Sequence, residues 1–376
     1  MQKKRRSLGL AVIGLILVSC STFQPFDIMR ADGSTWTIDG EEYQAFSDFV
    51  DDERGCLPLE QLFYTAGYSI IDDMTLSGEG DTVSFIWEDA ADTACVLNNG
   101  RIQVGEDVFA VTSILPASDS DWDGITLSIT DITPSACSAL DLPAPAQATG
   151  TPFESTDVDS VLLLFLDGFG YLAYEEALEA GLIPNLAALP RAVPALTTYP
   201  PITTVSTASL LTGTTPLQHD VSQRGIRKTE METMFDLASH AGLDIIAVEG
   251  EALAFNLRSA EMQLSGDRDG NGGTDDNVLA NALGVLENGM PDLFFVHFHG
   301  IDDTGHTYGP GTSPVYEKIQ EVDDAVGQIL AAIPENTLVI IFADHGMHAV
   351  DEEGRLGNHG HLIPEDMLIP LIWFIS

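Results

Sequence analysis

Ser160-Val-Leu-Leu-Leu-Phe-Leu166, followed at once by Asp167-Gly168, is the stretch on which the reading of the fold turns. Val161 to Leu166 is apolar at every position, with no alternation of inward and outward residues. Such a run suits a strand buried on both faces, as in a mainly parallel sheet covered by helices. Similar runs recur at Asp244-Ile-Ile-Ala-Val248, Leu293-Phe-Phe-Val-His-Phe298 and Leu338-Val-Ile-Ile-Phe-Ala343. Between them lie helical patterns. The clearest starts at Ser313-Pro314, a cap followed by proline at the first helical position, and continues through Ile319, Val322, Val326, Ile329, Leu330 and Ile333. The expectation for residues 158–376 is therefore an α/β domain with a mainly parallel central sheet and helices on both faces. Its chemistry should gather at the carboxyl ends of the strands.

Upstream the grammar differs. Residues 28–140 alternate short apolar runs with Gly, Asp and Ser turns, at Trp36-Thr-Ile, Val83-Ser-Phe-Ile-Trp87, Arg101-Ile-Gln-Val, Val108-Phe-Ala-Val-Thr and Ile125-Thr-Leu-Ser-Ile. Period-two patterning predicts a smaller, mostly β accessory domain, with one helix around Pro58–Gly67. Residues 141–157, rich in Pro, Ala, Gly and Thr, read as a linker. All nine histidines fall at or beyond His219, whereas Cys56, Cys95 and Cys137 all precede residue 140. Three cysteines in an exported chain make one bridge and one free thiol, with Cys56–Cys95 the expected pair.

The first residues read as an export signal: Lys3-Lys-Arg-Arg6, the apolar run Leu8–Val18, then Leu17-Val-Ser-Cys20. The run is shorter than the roughly 20 residues that span a bilayer. The Leu-Val-Ser-Cys ending resembles the bacterial lipoprotein processing box, which implies cleavage of residues 1–19, lipid on Cys20 and a short tether over 20–27. The expectation is an extracytoplasmic bacterial lipoprotein held at the membrane by its acyl chains. Removal of residues 1–19, which hold four basic residues and no acidic one, takes the formal charge from −43 to −47. So acidic a surface repels nucleic acid and anionic lipid, so no nucleic-acid partner is expected.

Four short segments supply chemistry: Asp167 after the first buried run, Asp302-x-x-x-His306, Asp344-His345-Gly346, and His359-Gly360-His361. Aspartate oxygen and histidine nitrogen are ordinary ligands of divalent metals. Asp302 and His306 are spaced to share one helix face, with Asp303 a competitor at another spacing. Either His359 or His361 can ligate, and His297, His299 and His348 lie close enough to contact a metal, support a ligand from behind or merely face the site. Gly346 allows close backbone approach. Thr203, in Tyr199-Pro-Pro-Ile-Thr203-Thr204, suits an N-cap. A hydroxyl there lies beside unpaired N–H groups that attract phosphate. Asp267-Arg-Asp-Gly-Asn-Gly-Gly-Thr-Asp275-Asp276 has oxygen ligands at alternate positions, a pattern of calcium loops. The twelfth position is Val278 rather than Glu, and Asp275 or Asp276 equally suits capping of the next helix.

In combination, Leu-Asp167-Gly-Phe-Gly, Tyr-Pro-Pro-Ile-Thr203 through Leu-Leu-Thr-Gly213, Pro216-Leu-Gln-His-Asp220, Asp302-Asp-Thr-Gly-His306-Thr-Tyr-Gly-Pro310, Ala-Asp344-His345-Gly-Met and Gly-Asn-His359-Gly resemble the alkaline phosphatase superfamily. Residues 158–376 are most similar to its type I phosphodiesterase/nucleotide pyrophosphatase branch. The resemblance implies two divalent metal ions, zinc first and manganese second. One is held by Asp167, Thr203, Asp344 and His345, the other by Asp302, His306 and His359. It also implies Thr203 as nucleophile, nine residues before the threonine of Thr212-Gly213, and a phospho-threonine intermediate. The substrate would be a small phosphate ester. Ser206 stands where nucleotide-processing relatives carry a phosphate-contacting asparagine, and no Lys or Arg adjoins Thr203. Ser206 and Arg224 are thus the expected substrate contacts, with Arg227 nearby. Phosphomonoesterase and phosphonate hydrolase are the alternatives within the superfamily, and a non-catalytic surface-binding lipoprotein is the alternative outside it. Cys56-Leu-Pro-Leu-Glu60 lacks the arginine of the sulfatase pattern.

Overall fold

The computed structural model describes residues 23–376 except 51–53, 79, 119–121, 123, 251–253, 269 and 271. Cys20 and the export signal lie outside the described residues.

A seven-stranded sheet organises the second half, in the order Val193–Leu196, Leu368–Ile375, Thr337–Phe342, Ser160–Leu166, Leu293–Phe298, Ile245–Gly250, Glu261–Ser265. Ser160–Leu166 is central and parallel to both neighbours, and two further pairings on the Leu293–Phe298 side are parallel as well. The two pairings made by Leu368–Ile375 are antiparallel. Every residue of Ser160–Leu166, Leu293–Phe298 and Thr337–Phe342 is buried, as continuous apolar runs require when helices cover both faces. Among the described residues Ser313–Leu330 is the longest helix, with Thr312 at the N-cap position one residue ahead of the expected cap and no side-chain cap bond. It buries Val315, Ile319, Val322, Val326 and Ile329. Register places Leu166 opposite Phe298 and Phe165 opposite Phe342, so the residues that follow these strands emerge together at one sheet edge.

The N-terminal part builds two smaller sheets. One has five strands, Thr35–Ile38, Phe26–Met29, Ser113–Ala117, Asp73–Ser77 and Thr82–Ile86 in that order. The other has four, Leu57–Pro58, Cys95–Val96, Ile102–Val104 and Asp107–Phe109. The anticipated helix is Leu59–Thr65, joined by the shorter Gly40–Ala45 and Trp87–Ala90. Cys56 and Cys95 form the disulfide, with Cα atoms 5.8 Å apart, and Cys137 is free and buried.

The strand expected at Ile125–Ile129 is absent. Ser128 instead accepts from Thr130 N–H while Asp131 accepts from Ser128 N–H, a capping box that opens a helical stretch through Ala139. Ile129, Ile132 and Ala136 then fall at helical spacing and pack in the buried cluster of the seven-stranded sheet, although the sequence placed them with the N-terminal unit. Among the described residues no helix is long and apolar enough to cross a membrane.

Candidate metal centre

Three strand ends deliver the acidic groups. Asp167 follows Ser160–Leu166 directly, Asp344 follows Thr337–Phe342 after Ala343, and Asp302 lies in Gly300–Tyr308, the helix leaving Leu293–Phe298. All three are buried. Gly168 makes their approach possible: its φ is +71°, and an added Cβ would sit 2.9 Å from Asp302 Cα. Gly346 packs against the Glu365 carbonyl, which a Cβ would meet at 2.0 Å.

Histidines complete two groups. His345 Nε2 lies 3.1 Å from Asp344 Oδ2 and 3.7 Å from Asp167 Oδ1. Thr203 Oγ1 is 3.2 Å from the same nitrogen. His306 Nε2 lies 3.2 Å from Asp302 Oδ2, and His359 Nε2 lies 3.6 Å from Asp302 Oδ1. The His345 and His359 rings stack with centroids 3.6 Å apart, so the two groups share one site. Thr203 is the first residue of the buried Thr203–Thr212 helix rather than its cap. Ile202 holds the cap position, which leaves the Thr203 hydroxyl for His345.

Each of these imidazoles uses Nδ1 on a backbone carbonyl: His345 on Gly346 (2.9 Å), His306 on Gly357 (2.8 Å) and His359 on Pro201 (2.7 Å). A carbonyl only accepts, so in the neutral form of each ring Nδ1 carries the proton and Nε2 is left free to ligate. The Nε2 atoms of His345 and His306 thus face carboxylate oxygens, and that of His359 lies between Asp302 and Arg224, an arrangement suited to holding cations. Asp167 Oδ1, Asp302 Oδ1 and Asp344 Oδ2 are buried without a hydrogen-bond partner, and such orphaned charge is costly unless paired or bound to metal. Asp302, His306 and His359 form one metal-competent group, and Asp167, Asp302 and His345 another. The donor set therefore fits divalent metal.

Local electrostatics agree. Burial together with the charges of Asp167 and Asp302 pushes the Asp344 carboxyl well above its ordinary range. Burial would do the same to Asp167, but hydrogen bonds from His297 and His299 hold it well below. Burial and the neighbouring His345 and Arg224 keep His359 neutral, its pKa well below normal.

With this geometry, similarity to known proteins is informative. Residues 256–372 match the type I phosphodiesterase / nucleotide pyrophosphatase family. The matched segment carries Asp302, His306, Asp344, His345 and His359, while Asp167 and Thr203 precede it. GPI ethanolamine phosphate transferase 3 of Eremothecium gossypii is 38% identical over 76 residues, 20% of this chain and 7% of that protein. Its Saccharomyces cerevisiae counterpart is 41% identical over 91 residues, 21% of this chain and 8% of that protein. The matches thus span under a tenth of those relatives' length. Among solved structures, murine ectonucleotide pyrophosphatase / phosphodiesterase 5 aligns with a TM-score of 0.44 at 14% identity, covering 56% of this chain and 87% of that one. Phosphonoacetate hydrolase from Sinorhizobium meliloti aligns with a TM-score of 0.43 at 16% identity, covering 51% and 57%. These two likenesses are too distant to carry an argument.

Around the candidate site, supporting residues appear that the motifs did not disclose. Glu249, at the end of Ile245–Gly250, accepts from His297 Nδ1 and His299 Nε2, both at 2.9 Å, while His297 Nε2 and His299 Nδ1 lie 3.1 and 3.3 Å from Asp167 Oδ2. Asp167, His297 and His299 also meet the geometry of a metal-holding group, but all four facing ring nitrogens already have carboxylate partners. Burial would raise the Glu249 carboxyl, yet the two histidines hold it down at about 2. Asp366 accepts from His348 Nδ1 and from the amides of Gly360 and His361. Arg355 lies 3.0 Å from His306 Nδ1. Only Glu249 could have been suspected from sequence, as an acid ending a buried strand.

Arg224 reaches the site, its guanidinium 2.8 Å from His359 Nε2. Ser206 does not fit its expected role: it is fully buried and its hydroxyl pairs with Thr197 at 2.9 Å. The loop expected to suit calcium includes Asp269 and Asn271, which lie outside the described residues. Asp275 spends both oxygens on the amides of His299 and Gly300, and Asp267 accepts from Gly270 and Gly272. Among the described residues no metal-holding group gathers in that loop.

Proposed function

We propose that this protein is a metal-dependent phosphoric-ester hydrolase of the phosphodiesterase/pyrophosphatase type, anchored outside the cytoplasm by lipid on Cys20. The observation that carries the reading is the gathering of three histidine Nε2 atoms with three buried aspartates whose oxygens are orphaned. Two ions are proposed, one with Asp167, Thr203, Asp344 and His345, the other with Asp302, His306 and His359. Mixed imidazole and carboxylate donors favour zinc, with manganese next. Bound there, the metals would neutralise the phosphate, make the Thr203 hydroxyl more acidic and activate water.

The chain's own groups do the rest. Thr203 gives its hydroxyl proton to solvent as Oγ1 attacks phosphorus and the bond to the leaving oxygen breaks, and that oxygen takes up one proton from solvent. The attack produces a phospho-threonine, and water then attacks the same phosphorus and frees Thr203. The backbone N–H groups of the helix opening at Thr203 favour the anionic group. Arg224 supplies a cation to its non-bridging oxygens. Residues 28–140 are proposed as an accessory unit, although Ile129–Ala139 pack with the seven-stranded sheet and the remainder docks on the metal-centre loops.

A second reading has acceptor alcohol in place of water in the last step, which the local identity to ethanolamine phosphate transferases favours. Phosphomonoesterase and phosphonate hydrolase activity are distinguished in the same assay. Purified soluble protein should hold about two metals per chain and cleave nitrophenyl phosphate diesters faster than monoesters. Added ethanolamine or glycerol measures transfer. A metal-free protein inert with added zinc or manganese would refute the reading.

A further inference from the structure

Glu60 belongs to the Leu59–Thr65 helix of the N-terminal unit, is 4% exposed, and makes its polar contacts with the loops that carry the metal centre. Tyr199 OH donates to Oε2 at 3.2 Å, four residues before Thr203. The Leu362 N–H donates to Oε1 at 3.0 Å, three residues after His359. His361 Nδ1 lies 3.0 Å from Oε2, and its Nε2 reaches Asp92 Oδ1 at 2.8 Å, a second carboxylate of the N-terminal unit.

Backbone and apolar contacts run the same way. Ile71 N–H donates to the Leu362 carbonyl at 2.8 Å. Tyr199, Leu362, Ile363, Met367 and Leu368 are buried in one cluster with Phe26, Leu62, Phe63 and Trp87, so both loops are rooted in the core of the N-terminal unit. Apolar packing would be enough to dock two units. A buried carboxylate is costly to dehydrate and persists where its geometry is used. Here it closes a ring: Tyr199 leads to Pro201, whose carbonyl holds His359 Nδ1 at 2.7 Å, and His359 leads through His361 and Leu362 back to Glu60.

We propose that Glu60 is a positioning residue of the metal centre, a carboxylate from the N-terminal unit that fixes the Thr203 loop against the His359 loop. The N-terminal unit then completes the reactive geometry as well as any recognition it performs. This inference rests on the functional reading above, but part of its test does not.

The test uses the full chain with Glu60→Ala, Glu60→Gln and, as a packing control in the same unit, Trp87→Phe. Amide hydrogen exchange of the 199–203 and 357–362 segments is measured with and without zinc, together with kcat, KM, metal content and Tm. Misplacing reacting groups by about 1 Å costs on the order of a hundredfold, so Glu60→Ala should lower kcat per metal-loaded chain by about 10- to 100-fold with little change in KM. Exchange should rise in both segments. Glu60→Gln, which keeps the volume and one acceptor, should recover part of the loss and carries the test if the alanine variant does not fold. Trp87→Phe should lower Tm yet spare kcat and both loops. Faster exchange confined to residues 57–66, or a fall in kcat no larger than that of Trp87→Phe, would overturn the proposal. If the wild type turns over no phosphate ester, the functional reading fails, and the exchange data alone decide the positioning role.

Discussion

Thr203 Oγ1 lies 3.2 Å from Nε2 of His345, whose other ring nitrogen is occupied by the Gly346 carbonyl. The hydroxyl therefore meets a lone pair at the opening of a buried helix, beside Asp167 and Asp344. Thr203→Ala removes the proposed attacking oxygen and metal donor and should leave the helix intact. Turnover should fall by at least about a thousandfold, while circular dichroism stays unchanged. Thr203→Ser keeps a hydroxyl and should retain measurable activity.

The two metal groups should empty separately. His359→Ala removes a proposed ligand from the Asp302 group, and His345→Ala one from the Asp167 group. Each should lose about one metal equivalent by elemental analysis and release protein-bound zinc to a chelator more readily. Asp366→Ala touches no metal but frees the Gly360 and His361 amides and His348. It should cost about 10- to 100-fold in metal affinity or activity, as loss of a supporting carboxylate does.

Asp344 gives the metal-free protein a pH signature. Its folded-state pKa is raised well above the ordinary 3.8 by burial and by the charges of Asp167 and Asp302. The folded chain then binds the proton more tightly than the unfolded chain. Its contribution to stability is present below the unfolded pKa and is lost as pH rises toward the raised folded value. Chelator-treated protein should gain stability from this group as pH falls from neutrality. Asp344→Asn should flatten that slope, and zinc should stabilise the wild type far more than the variant.

His219 acts in the opposite sense and away from the metals. It is buried against Ser209 Oγ at 2.9 Å, and burial lowers its pKa from 6.5 to about 4. A histidine kept neutral by the fold stabilises above its unfolded pKa and opposes folding as pH drops from 6.5 through about 4. At 1.36 kcal/mol per unit this amounts to about 3 kcal/mol of acid destabilisation. Urea unfolding of His219→Asn between pH 7 and 4 should show a correspondingly shallower loss than the wild type.

Much of this architecture was legible because a strand buried on both faces writes itself as an unbroken apolar run. Once Val161–Leu166, Leu293–Phe298 and Leu338–Phe342 are strands, Asp167 and Asp344 fall at their carboxyl ends without further information. Asp302 and His306 follow from helical spacing. The choice of His359 over His361 is not local: the structure turns His359 toward Asp302 and gives His361 to Glu60 and Asp92. Glu60 and Asp366 were invisible because their partners lie in other segments. Ser206 was misread because its position in the motif says nothing of Thr197, which takes its hydroxyl. The Ile125–Ile129 strand failed because a capping box at Ser128 and Asp131 outweighed three alternating apolar residues.

If Thr203 is the nucleophile, it carries the phosphoryl group during turnover. Acid-quenching the metal-loaded protein within the first turnovers of a nitrophenyl diester, then mapping its peptides by mass spectrometry, tests this directly. Phosphate should be found on Thr203, present with substrate, absent without metal and absent from Thr203→Ala. Full steady-state turnover by the Thr203→Ala protein, or phosphate found on another residue, would contradict the nucleophile assignment.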